Sequence, residues 1–168
     1  MMWDEDANSL LVRGALADAA GSSGTIVLQT AQVAVADGDI LGRIDFQAPL
    51  ETQGGDGTLI SASIWAEADA TFDQDTNNTE IVFGTGHNAA QTEKMRLSAD
   101  GKLGIGVAAP ASALHVAGTV QVGVDNTGHD VKFFGATASK YWLWDESADQ
   151  TVLIGSSTQT GNAQLTGT

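Results

Sequence analysis

The chain has 168 residues, 21 Asp and Glu against seven Lys and Arg, a formal net charge of −14 and no cysteine. No basic cluster interrupts the acidic background, which argues against nucleic-acid binding through phosphate neutralisation. Disulfides and thiolate metal sites are excluded, and no apolar run approaches the ~20 residues of a membrane-spanning helix. The start, MMWDEDANS, is acidic and lacks a basic n-region, so it does not read as a signal peptide. Such a length suits one domain or two small ones. Ala, Gly, Thr and Asp dominate, and only two prolines occur. That composition favours many short strands and turns over a coiled coil or a Pro-rich linker.

Trp3 to Gly14 reads WDEDANSLLVRG, and Trp144 to Gly155 reads WDESADQTVLIG. The two align without a gap, so that Trp3, Asp4, Glu5, Ala7 and Gly14 stand against Trp144, Asp145, Glu146, Ala148 and Gly155. We read this as one module used twice, a pattern that favours an array or fibre. The first copy lacks the VKFFGATASKYWL strands that precede the second. It is therefore expected to complete its pairing on a neighbouring chain, on an anchoring protein, or beside the C-terminal copy.

Ala15 to Gly24 is a small-residue linker in which a helix over Ala15–Ala20 would be short. Thr25 to Ala36 and Asp39 to Gln47 read as strands divided by an Asp37-Gly38 turn. Pro49 to Gly57 is a Gly-rich loop. Thr58 to Ala68 alternates, with Leu59, Ser61, Ser63 and Trp65 on one side and Ile60, Ala62, Ile64 and Ala66 on the other. Asp69 to Asn78 is a polar loop, Thr79 to Gly84 a strand and Thr85 to Thr92 a further loop. Lys94 to Leu97 and Lys102 to Ile105 are short strands joined by Asp100-Gly101, a hairpin turn tolerant of positive φ. Gly104 and Gly106 leave bare backbone around Ile105, which marks a bulge or a close approach by another backbone. Pro110 makes a corner. Leu114–Val116 and Thr119–Val122 alternate again. Asp130–Phe134, Lys140–Trp144 and Thr151–Ile154 complete the strands. The polar stretch from Gly155 onward frays or docks on a neighbour. Many short strands with regular turn signals predict an all-β chain.

Met95-Arg96-Leu97-Ser98, Asp100-Gly101, Leu103-Gly104-Ile105-Gly106, Pro110, Leu114-His115-Val116 and Gly118 together form a pattern. It resembles a motif of bacteriophage tail fibres, tailspikes and related virion proteins. The usual form has Thr after the second Gly and often Ser before the Pro; here Val107 and Ala109 make the loop more apolar. Gly38–Phe46 with Thr79–Phe83 downstream, and Val131–Gly135 leading to Trp142-Leu143-Trp144-Asp145, are similar to stretches of marine-phage structural proteins. The resemblance covers most of the chain. It implies a β-sandwich or β-prism-like domain intertwined in a homotrimeric fibre, without catalytic activity or cofactor. The expected location is the virion, after synthesis in the host cytoplasm. The expected partners are further copies of the chain, other virion proteins and a host surface glycan, with no nucleic acid and no membrane insertion. A tail fibre or spike, a capsid surface fibre, a capsid decoration protein, a carbohydrate-binding adhesin and a polysaccharide depolymerase all remain open at this point.

Other candidate chemistry is thin. Gly104-Ile105-Gly106-Val107-Ala108-Ala109 with Asp125 downstream looks like a dinucleotide fingerprint, but Pro110 and the next strand leave no helix to meet a pyrophosphate. Asp73, Asp75 and Asn77 have the spacing of the first three calcium-loop ligands. Asn78 then stands where such a loop needs Gly, and Gly84 where it needs Glu, so only a looser divalent site over Asp73–Asn78 is left. His87, His115 and His129 are far apart, and His115 points away from the face of Leu114 and Val116. Asp37, Asp39, Asp56, Asp100 and Asp125 sit in turns, where turn chemistry accounts for them.

These readings divide the chain into 1–24 (partial repeat and linker, an assembly segment), 25–98 (β-domain), 99–123 (Gly-rich connecting β-segment) and 124–168 (C-terminal module). Trp3, Asp100, Gly101, Gly104, Gly106, Pro110, Trp142 and Trp144 are the expected structural or assembly residues. Tyr141, Trp142 and Trp144 are the candidate glycan contacts.

Overall fold

The computed structural model describes residues 2–4, 9–12, 14, 22–48 and 54–156. Eleven strands and no α-helix occur among them. The chain divides into two compact units, Met1–Gly118 and Thr119–Thr168.

The first unit is built on a six-stranded sheet, with strands β3 (Ile40–Gln47), β4 (Ile60–Ala68), β5 (Thr79–Thr85), β6 (Thr92–Leu97), β7 (Leu103–Ile105) and β8 (Leu114–Val116) side by side in sequence order. All neighbours are antiparallel except β7 and β8. Each strand is rich in β-branched or long apolar residues at alternate positions, the pattern that suits a pleated surface. The Asp37-Gly38 and Asp100-Gly101 turns form as expected, with Gly38 at φ 82° and Gly101 at φ 80°. In the second turn the Gly101 N–H donates to the Ser98 carbonyl at 2.9 Å, and Ser98 N–H donates to the Lys102 carbonyl at 2.9 Å.

The β7–β8 pair is unusual, because parallel neighbours normally need a crossover of a dozen or more residues. Here only residues 106–113 intervene. Gly106 at φ 71° starts the return, and Pro110 is buried at its corner. The loop folds back so closely that a Cβ on Gly104 would collide with the Val107 carbonyl oxygen.

Two smaller sheets carry the sequence repeat. Strands β1 (Met2–Asp4) and β2 (Ser9–Leu11) pair with each other, and β10 (Tyr141–Asp145) pairs with both β9 (Val131–Phe134) and β11 (Gln150–Ile154). The register Met2↔Leu11, Trp3↔Leu10, Asp4↔Ser9 recurs as Leu143↔Val152, Trp144↔Thr151, Asp145↔Gln150. Every pair is displaced by the same interval that separates Trp3 from Trp144, so the repeated words encode the same hairpin twice. Among the described strands, the two of the first copy pair with each other, while the second copy gains β9 as an additional partner.

Two expected strands are not formed. Residues 25–36 join no sheet, because the chain entering β3 is tied elsewhere. The Asp39 carboxylate accepts the Ala36 N–H at 2.7 Å and the Gln32 amide at 3.0 Å, and Phe72 N–H donates to the Val35 carbonyl at 3.0 Å. Residues 119–122 also carry no ladder; they fall at the boundary between the units, before a tight Val124–Thr127 bridge. Leu103–Val116, grouped above with a connecting segment, belongs to the first unit's sheet. The helix over 15–20, the loop residues 49–53 and the tail from 157 lie outside the described residues.

Candidate functional site

Register assigns every side chain of the large sheet to one of two faces. Across all six strands run two rows: Ile44, Ile64, Phe83, Met95, Ile105, Val116, and Gly42, Ala66, Ile81, Leu97, Leu103, Leu114. Neither row holds a charged or hydrogen-bonding side chain. Ile44, Ile64, Ile81, Leu97, Ile105 and Leu114 are exposed, from 37% at Ile64 to 58% at Leu114, and the other six residues are half-buried. Contiguous apolar surface rimmed by polar residues is what marks interaction sites on proteins.

The opposite face is polar and better covered. Trp65, Ser63, Glu80, Val82, Gly84 and Gly104 are all buried there. Arg96 is its centre. The Arg96 guanidinium grips Glu93 with two bonds, Nε to Oε1 at 2.9 Å and Nη2 to Oε2 at 2.6 Å. It also bonds the buried Glu80 carboxylate and lies 3.7 Å from Glu67, whose other oxygen accepts the Trp65 indole N–H at 2.9 Å. One cation thus serves three carboxylates. Burial first, and the Glu67 charge second, push the Glu93 carboxyl above the usual range. Nearby, the Ser63 hydroxyl donates to Asp45 at 2.6 Å, and Arg43 bonds both Asp45 and Ser63. The Ser63 bond and then the Arg43 bond hold Asp45 below the ordinary carboxylate value.

In the second unit, Phe133, Trp142 and Leu153 form one cross-strand row, with Val131, Trp144 and Thr151 beside it. Phe133 stacks on Trp142 with centroids 5.4 Å apart. Both tryptophans, Phe133 and Leu153 are exposed. Tyr141 falls on the opposite face, where Lys132 sits 4.3 Å from its ring centroid and Phe134 meets it edge-on. The candidate glycan contacts are therefore split: Trp142 and Trp144 share a surface that Tyr141 does not. A cleft of about 500 Å³ beside Trp144 is lined with Asp125, Asn126, Glu146 and Asp149.

The remaining expected residues have local roles. Lys102 and then Ser98 hold Asp100 below its usual value, completing the hairpin turn. Asp73 accepts the Asp75 N–H at 2.9 Å, and this bond, followed by the Thr76 hydroxyl, lowers its carboxyl. That is Asx-turn geometry. Among the described residues no group of three or more His, Cys, Asp or Glu is arranged to hold a metal ion. His115 lies on the polar face and accepts the Ala111 N–H on Nδ1 at 3.2 Å. The glycines of the fingerprint look-alike lie in β7 and its following turn, where no helix opens. Trp3 pairs in β1 through its backbone. The apolar rows and the Arg96 cluster are the features that sequence reasoning missed; alternation within each strand signals the rows, but only register stacks them. No protein-family model matches the chain, and no curated protein matches its sequence.

Proposed function

We propose that this chain is a non-enzymatic structural protein of a bacteriophage virion, a homotrimeric tail fibre, spike or capsid surface fibre that serves assembly and host attachment. The observation that carries this reading is the six-strand apolar face, which the described residues leave largely uncovered. Burying such a face removes apolar area from water at roughly 25 cal/mol per Å², which favours assembly with further copies. The number three comes from the resemblance of Met95–Val116 to phage fibre motifs. In a prism-like trimer the three apolar faces would point at a common axis and the Arg96 faces outward. Light scattering on the purified chain tests it. The expected mass is three times 17.3 kDa. A chain that stays monomeric and soluble at high concentration overturns the reading.

A second reading has its own support in the exposed tryptophan surface of the second unit. Aromatic rings beside carboxylate and amide acceptors are the chemistry that stacks on a sugar face and accepts its hydroxyl protons. On this reading host attachment runs through a neutral glycan at Trp142 and Trp144. Glycan-array binding by the parent and its loss in Trp144→Ala is the expected result; no binding by the parent removes the adhesin component.

A further inference from the structure

Residues 24–31, GTIVLQTA, are composed like a strand but belong to none. From Ser22 to Gln32 the chain runs without turn, bend or positive φ, so it is extended. Among the described residues, no backbone hydrogen bond joins 24–31 to any other segment. Ile26, Val27 and Leu28 are all exposed, Val27 at 71%. Gly24 packs on the Val12 carbonyl and Leu28 lies against Gly42, but among the described residues this extended, β-branched run makes none of the ladder bonds that a strand requires.

The same unit has a matching vacancy. Among the described residues, β3 is the first strand of the sheet and has β4 as its only neighbour. It is eight residues long, whereas the other outer strand of that sheet, β8, has three. Irregularities at Ile40/Gly42 and Phe46/Gln47 leave Gly42 to Phe46 in regular register with a free edge. The segment does not occupy that edge in its own chain. Leu28 instead sits over the apolar face, with its Cβ 2.7 Å from where a Cβ on Gly42 would lie, and the anchored Ala36–Asp39 turn fixes the approach. It covers only a corner, where Ile26 and Leu28 border a cleft of about 300 Å³ with Ile44, Ile64 and Ile81.

We propose that residues 24–31 are a donated strand, which pairs with the open β3 edge of a neighbouring copy. This rests on the oligomeric reading above. Alternation fits: with Ile26 and Leu28 extending the apolar rows beyond Gly42 and Ile44, Val27 falls on the side of Arg43. Each copy supplies one strand and one edge, so in a trimer the contact is heterologous, the kind that makes a ring where its rotation closes. Addition to a free edge also removes the hazard of an open strand.

The natural absence of cysteine makes the test direct. Val27→Cys and Arg43→Cys variants, differing in tag length, are mixed, refolded together and oxidised. The expected product is a mixed-tag disulfide dimer on a non-reducing gel. In parallel, hydrogen exchange on the unsubstituted chain is expected to slow at residues 24–31 by 100-fold or more in the oligomer. An oligomer whose 24–31 amides exchange freely overturns the donated strand and leaves the structural reading standing. Slowed exchange without the mixed disulfide, for this pair and for Val27→Cys with Asp45→Cys, also overturns it. A monomer at all concentrations overturns both.

Discussion

On one face of the six-stranded sheet Val82 is fully buried and Arg96 gathers Glu67, Glu80 and Glu93; on the other, Ile44, Ile81 and Leu114 stand about half open. A monomer built for solubility would reverse the two, since apolar side chains gain from burial and carboxylates pay for it. The inversion teaches which side is finished. The polar face is closed within the chain, by loops folding over Gly84 and Gly104 and by paired charges, with the Gln91 side-chain oxygen above Gly84 left without a partner among the described residues. The apolar face is complete only when something else covers it.

The strongest way to break this comparison is to charge the open face. Ile64→Asp with Ile81→Asp places two carboxylates in the middle of both rows. If the face is an interface, association should weaken by more than 100-fold, leaving a folded monomer by light scattering and circular dichroism. If water is its natural neighbour, the double variant should keep the parent's mass and gain solubility.

The polar face should fail differently, by loss of stability within the chain. Arg96→Met leaves Glu80 buried without its cation, and removal of one partner from a buried pair costs about 3–5 kcal/mol. Urea unfolding should report a lower midpoint. An unchanged midpoint would mean that Glu80 is reached by water and that this face is no more closed than the other.

Gly104→Val tests how the polar face is covered. The added side chain meets the Val107 carbonyl, which must move and carry the short β7–β8 return with it. A loss of roughly 2–3 kcal/mol is expected, seen as a lower melting temperature and faster exchange at Ala117, whose N–H bonds the Ile105 carbonyl.

The strands themselves were largely legible. Alternation marked β4, short strand-like runs marked β5 and β6, and Asp-Gly pairs marked two turns, because these signals are local. The two faces were not, since they depend on pairings such as Val82↔Arg96 and Ile44↔Ile64 between distant residues. Arg96, Glu80 and Glu67 look like scattered charges until register brings them together. Residues 25–36 misled for the opposite reason: their propensity is that of a strand, but the Asp39 turn and the Val35–Phe72 bond hold them off the sheet. The repeated hairpin was visible as words, and its identical register shows that short, self-contained pairings survive the passage from sequence to structure best.

The smallest effect separates the faces by pH. Only the polar face titrates, and its groups pull in opposite senses. Asp45 is held down by Ser63 and Arg43, so its contribution is present above the ordinary aspartate value of about 3.9 and is lost as pH falls through the lower folded value. Glu93 is held up by burial and by Glu67. Its folded form keeps the proton longer than the unfolded chain does. Its contribution is therefore present below the ordinary glutamate value of about 4.3 and is lost as pH rises through the folded value. Glu93→Gln deletes that descending limb while its amide oxygen still accepts one bond from Arg96. The variant's melting temperature should then decline less than the parent's above about pH 4.3, with the acid limb set by Asp45 unchanged. Two profiles that run parallel from pH 4 to 7 would show that Glu93 does not feel Glu67 and that the Arg96 cluster is open to solvent.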